Sequence, residues 1–315
     1  MTISAVNVGV FGVGSLGQAH ARIYSELERA NLVGVYDVDT ARAREIAGQY
    51  GTQAFDTMDA LAEQVDAASV VVPTDLHREV GGYLLDRGLH LLMEKPIAST
   101  TQEAEELVAL ADERNVIIQV GHIERFNPVL SYLENVSLRP RFIEAHRLSS
   151  YPPPREGMAP RGTEVSVVLD LMIHDIEVIL HLVRSPVKEF HAVGVSVLSP
   201  SEDIANVRLH FEDGCVANIT ASRISPERMR KIRVFDSDTY ISLDYQNQSG
   251  EVHRKSAVGI EREEVPIEKA EPLAMELDSF LGCVARRGDP VVSGEHAAEA
   301  LKLAVAITQR VSEQS

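Results

Sequence analysis

The chain has 315 residues, room for two domains at roughly 150 residues each, and its 44% hydrophobic and 24% charged residues are ordinary for a globular protein. A formal net charge of −17 excludes nucleic acid and anionic membrane surfaces as partners, because both would be repelled. Cys215 and Cys283 lie too far apart for a disulfide framework or a metal spacing, there is no basic leader, and no apolar run nears the roughly 18–20 residues that span a bilayer, so a soluble, cytoplasmic protein is expected.

Residues 5–11 read as a β-branched strand that runs into Gly12-Val13-Gly14-Ser15-Leu16-Gly17, after which residues 18–30 have helical character. Between a strand and a helix, G-x-G-x-x-G has a mechanism. Gly12 permits the tight turn, Gly14 lets backbone approach a pyrophosphate, and Gly17 lets helix and strand pack closely. The helix N-terminus, with Ser15 and Leu16 in its first turn, offers N–H groups and a positive dipole end to phosphates. A second strand, residues 32–36, ends at Asp37, which lies 20 residues past Gly17. A carboxylate there accepts from a ribose 2′-hydroxyl and repels a 2′-phosphate, which favours NAD over NADP. The alternative is a turn residue before a helix capped by Asp39.

The alternation continues with strand 68–72 ending in Pro73-Thr74, helix 75–87 closed by Gly88, and strand 89–93 ending in Glu94-Lys95-Pro96. Helix 100–115, with Thr100 and Glu103 as a capping box, and strand 116–120 complete it. That rhythm means a parallel, doubly wound sheet, with the glycine loop, Pro73-Thr74 and Glu94-Lys95 on the carboxyl edge where ligands bind. Pro96 biases Lys95 toward an extended conformation. The lysine then points into a crevice or faces water, as most strand-end lysines do.

Gly121-His122-Ile123-Glu124-Arg125-Phe126-Asn127-Pro128 breaks the rhythm. The expected division is an NAD-binding Rossmann domain over 1–121 and an α+β domain over 122–315, its last helix able to pack back on the first. After a helix-like stretch at 129–136, strands near 142–149, 187–198, 205–211, 215–222, 231–235 and 240–244 are separated by short turns. They imply an open, largely antiparallel sheet. The loop from Tyr151 to Gly162, rich in Pro, Gly and Arg, is too long for a plain connector. In the helix expected over 165–180, Asp170 and His174 are four apart and share one face, as a functional pair or a structural hydrogen-bonded one. Asp175 and Glu177 are expected to support that pair or face solvent. A third ligand at metal spacing is lacking, so no metal site is expected. Helices near 271–286 and 294–309 close the chain.

The glycine loop, Glu94-Lys95-Pro96 and Asp170-x-x-x-His174, in this order over essentially the whole chain, resemble the Gfo/Idh/MocA oxidoreductases. The resemblance implies hydride transfer between a sugar or cyclitol carbon and the nicotinamide of NAD. It also implies a homodimer or homotetramer built through the open sheet face. It makes His174 the base, Lys95 the electrophilic partner on the substrate oxygen and Asp170 the orienting group. Glu94 falls to the nicotinamide-ribose region, and Pro73, Thr74 and His77 to the cofactor, although His77 also reads as a helix-surface histidine. The roles suit the chemistry, since alcohol oxidation needs a base and imidazole titrates near about 6.5.

The segment from Gly121 to Pro128 is most similar to the subgroup oxidising UDP-N-acetylhexosamines at C3, commonly for amino-sugar biosynthesis. That similarity implies substrate contacts from Arg125, Asn127, Arg155 and Arg161, where guanidinium forks would meet a pyrophosphate. Arg155 and Arg161 also read as decoration of a solvated loop. The alternatives are a dehydrogenase of a free cyclitol or monosaccharide, and a non-catalytic NAD-binding sensor that has kept the fold.

Overall fold

The computed structural model describes residues 5–136, 138–153, 160 and 162–313. Contacts divide the chain into one unit of Met1–Ile123 with Glu271–Ala298 and a second of Glu124–Ala270 with Glu299–Ser315.

In the first unit, β1 (Val6–Phe11), β2 (Ala30–Tyr36), β3 (Gln53–Phe55), β4 (Ala67–Val70), β5 (His90–Met93) and β6 (Ile118–Val120) form a six-stranded sheet. Its order is β3-β2-β1-β4-β5-β6 and every pairing is parallel. Val8, Val10 and Phe11 of β1, Val70 of β4 and Leu91, Leu92 and Met93 of β5 are fully buried, as central strands covered on both faces require. The covering helices are α1 (Ser15–Glu26), α2 (Thr40–Tyr50), α3 (Met58–Ala62), α4 (His77–Asp86) and α5 (Thr101–Arg114). Asp39 caps α2, and Thr100 with Glu103 forms the capping box of α5. β3 and α3 are too short to carry a period and escape the sequence reading. Strand order reverses between β1 and β4, and the crevice at such a reversal is where ligands bind in this class of sheet.

The second unit holds α6 (Pro128–Asn135), β7 (Phe142–Leu148), α7 (Ile173–Val183), β8 (Val187–Val195), β9 (Ile204–Phe211), β10 (Val216–Ser222) and β11 (Met229–Phe235). β12 (Thr239–Asp244), β13 (Ser249–Ser256) and β14 (Gly259–Glu264) follow. The eight strands run β14-β13-β12-β11-β7-β10-β9-β8, and β7 pairs with β10 in parallel while the other pairs are antiparallel. Along β7 the buried Ile143, Ala145 and Arg147 alternate with half-buried Glu144, His146 and Leu148. The buried face packs on α7. The opposite face carries a ladder of rings, Phe142 to Phe235 at 5.5 Å, Phe235 to Tyr240 at 4.6 Å and Tyr240 to His253 at 5.1 Å. β13 and β14 carry one large apolar residue each, Val252 and Ile260, so no hydrophobic alternation announces them; their charges suit a sheet edge that must not pair further.

Of the closing helices, α8 (Pro272–Arg286) buries Leu277, Phe280 and Leu281 in the same core as Ile23, Tyr24 and Val10. That apolar stripe places Glu271–Ala298 in the first unit, where the sequence division gave the whole of 122–315 to the second. α9 (Gly294–Ser312) begins in the first unit and continues in the second. No helix among the described residues is long and apolar enough to cross a membrane.

Candidate active site

The carboxyl edge of the first sheet is built around the glycine loop. Gly12 turns with φ +89°, and a Cβ there would lie 2.5 Å from the carbonyl oxygen of Val71. At Gly17 a Cβ would stand 1.9 Å from the Gly12 carbonyl oxygen, so only glycine lets α1 start this close to the turn. Gly14 has open space where its side chain would be and serves as the N-cap of α1 without any side-chain hydrogen bond. The first-turn N–H groups of Ser15, Leu16 and Gly17 therefore carry no side-chain cap, and Gly14 and Ser15 are exposed. An uncapped helix start under a side-chain-free turn fits a pyrophosphate, so these residues suit the dinucleotide that the sequence implies. Asp37, half-buried at the end of β2, accepts from Val13 N–H at 2.7 Å and from Asp39 N–H at 2.9 Å. Its carboxylate is thereby fixed beside the glycine loop, as a ribose acceptor needs to be.

Glu94 and Lys95 emerge half-buried from β5, and the Lys95–Pro96 peptide bond is cis. The Glu94 carboxylate packs flat on Gly121, where a Cβ would come within 3.1 Å of both its oxygens. Pro73 and Thr74 leave β4 beside them. His77 behaves differently from expectation. It is 1% exposed, with Nδ1 2.9 Å from the Pro96 carbonyl and Nε2 3.1 Å from that of Val72. Burial lowers its pKa, against the pull of these carbonyls. Its ring nitrogens face the backbone carbonyls of Pro96 and Val72, so His77 sits between the loop after β5 and the loop after β4 and is not a surface histidine.

In the second unit, the expected continuous helix over 165–180 instead begins with a π-helical turn, Val168–Met172, before α7. Wide turns of this kind concentrate at functional sites. Asp170 in the turn and His174 in the first turn of α7 are half-buried, while Val168, Met172, Ile173 and Ile176 around them are fully buried. The Asp170 carboxylate lies against Gly162, whose φ is +81° and whose Cβ would come within 2.4 Å of Oδ2. Arg223, 2% exposed, holds that stretch of loop by donating to the carbonyls of Gly162 at 2.5 Å and Val165 at 2.8 Å. Asp203 anchors it at 2.8 Å. The sequence reading missed Arg223; a lone arginine just past an apolar strand was its single signal. Arg155 and Arg161 lie outside the described residues. No group of three or more His, Cys, Asp or Glu side chains is gathered to hold a metal among the described residues.

Arg125 and Asn127 are corrected by their surroundings. Arg125 is 6% exposed and donates to Glu177 at 2.7 Å, and Asn127, 3% exposed, caps α6 and donates to Glu124 and the Tyr245 carbonyl. A guanidinium buried against its own carboxylate is not free to meet a substrate phosphate. Beside them Arg147 makes a bidentate pair with Asp175, at 2.7 and 3.2 Å, and reaches Glu124 at 2.9 Å. Asp175 and Glu177 are thus both buried in ion pairs, with Arg147 and Arg125 respectively, which anchor the helix carrying His174. Burial, opposed by Arg125, pushes the Glu177 carboxyl up to about 7.

Residues 6–122 match the model of the oxidoreductase family with an NAD-binding Rossmann fold, and residues 139–241 match the GFO/IDH/MocA C-terminal domain. The chain belongs to the Gfo/Idh/MocA oxidoreductase family. This family member is 35% identical over 313 residues to the UDP-N-acetylglucosamine 3-dehydrogenase of Acidithiobacillus ferrooxidans, covering 96% of this chain and 97% of that one. A solved structure of that enzyme superposes with a TM-score of 0.92 at 34% identity, covering 98% of both chains. The NAD-dependent scyllo-inositol 2-dehydrogenase of Bacillus subtilis is 25% identical over 325 aligned positions, covering 96% and 93%. The chain is accordingly an NAD-binding oxidoreductase with sugar and sugar-nucleotide dehydrogenases as relatives.

Proposed function

We propose that this enzyme oxidises a secondary hydroxyl, that at C3, of a UDP-N-acetylhexosamine to a ketone, with NAD as cofactor, and feeds amino-sugar biosynthesis. The observation that carries the reading is the 35% identity across 96% of the chain to an enzyme of that activity, with Lys95, Asp170 and His174 all present. Bound NAD supplies the hydride acceptor. The first-turn N–H groups of α1 hold its pyrophosphate, and Asp37 receives the adenosine ribose. Lys95 polarises the substrate oxygen and stabilises developing alkoxide charge, His174 takes the hydroxyl proton, and Asp170 orients the reacting groups. Arg155 and Arg161 are the proposed contacts to the UDP diphosphate, supplying local positive charge on an acidic protein. In this reading the protein is a soluble cytoplasmic homo-oligomer that buries the ring ladder of the open sheet face; a single-copy mass in sedimentation would remove that part.

A second reading, oxidation of a free cyclitol or monosaccharide, is favoured by the inositol dehydrogenase relative. The deciding experiment offers NAD with UDP-hexosamines, free sugars and inositols, and follows NADH in the presence of a carbonyl trap. NADH formed with UDP-N-acetylhexosamines alone supports the first reading, and the position of the trapped ketone names the carbon. Equal turnover of free sugars moves the assignment to the second. Silence on every substrate, with NAD still bound, leaves a sensor that has kept the fold.

A further inference from the structure

Behind Glu94 runs a buried polar chain that the proposed chemistry does not use. His20, on α1 and 0% exposed, places Nε2 3.2 Å from Glu94 Oε1 and Nδ1 3.0 Å from Ser69 Oγ. Ser69 Oγ on β4, also 0% exposed, lies 2.8 Å from the hydroxyl of Tyr24, one helical turn on from His20. Glu94, ionised, can only accept, so a neutral His20 carries its proton on Nε2 and accepts at Nδ1. Ser69 must then donate to His20, and Tyr24 to Ser69. Each proton in the chain points the same way, toward the Glu94 carboxylate. Such aligned hydrogen bonds polarise one another where water is excluded.

We propose that His20, oriented by Ser69 and Tyr24, is a positioning residue that fixes the Glu94 carboxylate beside Lys95 during the reaction. This rests on the reading of Glu94 and Lys95 as part of the nicotinamide site. Two boundaries hold the carboxylate in place: the bare Cα of Gly121 on one side, and the Nε2–H of His20. Without His20 the carboxylate keeps the Lys95 N–H, 3.3 Å from Oε2, and the Gly121 boundary, but loses its hydrogen bond at Oε1. The Nε2–H of a buried imidazole held on its other nitrogen by Ser69 gives the carboxylate direction.

The test is a double-mutant cycle on NAD reduction. His20→Leu should lower kcat about tenfold, the worth of a hydrogen bond to a charged group, with little change in KM for NAD. His20→Gln, which places an amide N–H near the Nε2 position, should recover most of that loss. In a Glu94→Ala background, which leaves His20 no acceptor, His20→Leu should cost nothing further. Ser69→Ala is the milder second variant, with a few-fold loss that also vanishes in that background. Losses that multiply in the double variants, or a His20→Gln no better than His20→Leu, overturn the proposal. Turnover by the unsubstituted enzyme tests the reading of the site separately, since it does not depend on how His20 acts.

Discussion

In the proposed reaction Lys95 and His174 manage the two charges of alcohol oxidation, and neither is assigned to the dinucleotide phosphates. Lys95→Ala or His174→Ala should therefore lower turnover by about a hundredfold or more while NAD affinity, read by fluorescence titration, stays nearly intact. A variant that loses NAD and keeps turnover would reverse these roles. Asp37 is the residue proposed to separate the two nicotinamide dinucleotides. Asp37→Ala should raise KM for NAD and narrow its advantage over NADP, and an unchanged ratio of the two kcat/KM values removes Asp37 from the site. Gly12, Gly17 and Asp37 were legible because their chemistry is local: a turn, a close approach and an acceptor at fixed spacing. His77 and Arg125 were not. What decides them is whether their partners, the Val72 and Pro96 carbonyls and the Glu177 carboxylate, surround them on all sides, and burial of one polar residue leaves no periodic trace.

At the scale of elements, the anchor of α7 is the consequential device. Arg147 on β7 and Asp175 on α7 are 4% and 2% exposed, and Glu124 shares the same guanidinium. Removing the arginine leaves Asp175 buried without its paired cation and Glu124 with only the half-exposed Arg230 at 3.7 Å, so Arg147→Met should cost about 3–5 kcal/mol of stability in urea unfolding. Because the same helix carries His174, kcat should fall in the folded fraction as well. A loss below about 1 kcal/mol, the range of an exposed pair, would show that the network is solvated in solution. The apolar run through residues 165–180 announced a helix correctly from Ile173 onward, but hydrophobic spacing does not distinguish the wider turn of Val168–Met172 from an α-turn. Likewise the capping box at Thr100 and Glu103 was readable, whereas β14, exposed at each of its 6 residues, has no buried face for a pattern to encode.

Across the whole chain, the −17 charge and the two-part order of motifs set the class, and the return of α8 to the first unit is what the sequence division lacked. That return also brings a carboxyl into the core. Glu276 on α8 is 0% exposed, and neither of its oxygens has a hydrogen-bond partner among the described residues. Burial, and then the nearby charge of Glu94, pushes its pKa well above the ordinary 4.5, so the folded protein keeps it protonated. The sign of the linkage follows. A carboxyl that binds its proton more tightly when folded supports stability fully below its unfolded pKa. That support is lost as the pH rises from the unfolded value toward the folded one, at up to about 1.4 kcal/mol per pH unit. Glu276→Gln keeps the shape and removes the titration. Its melting temperature should match that of the unsubstituted protein near about pH 4 and exceed it by a growing margin toward about pH 8. Two melting curves that move in parallel across that range would mean that Glu276 finds a donor or water in solution and does not stand neutral in the core.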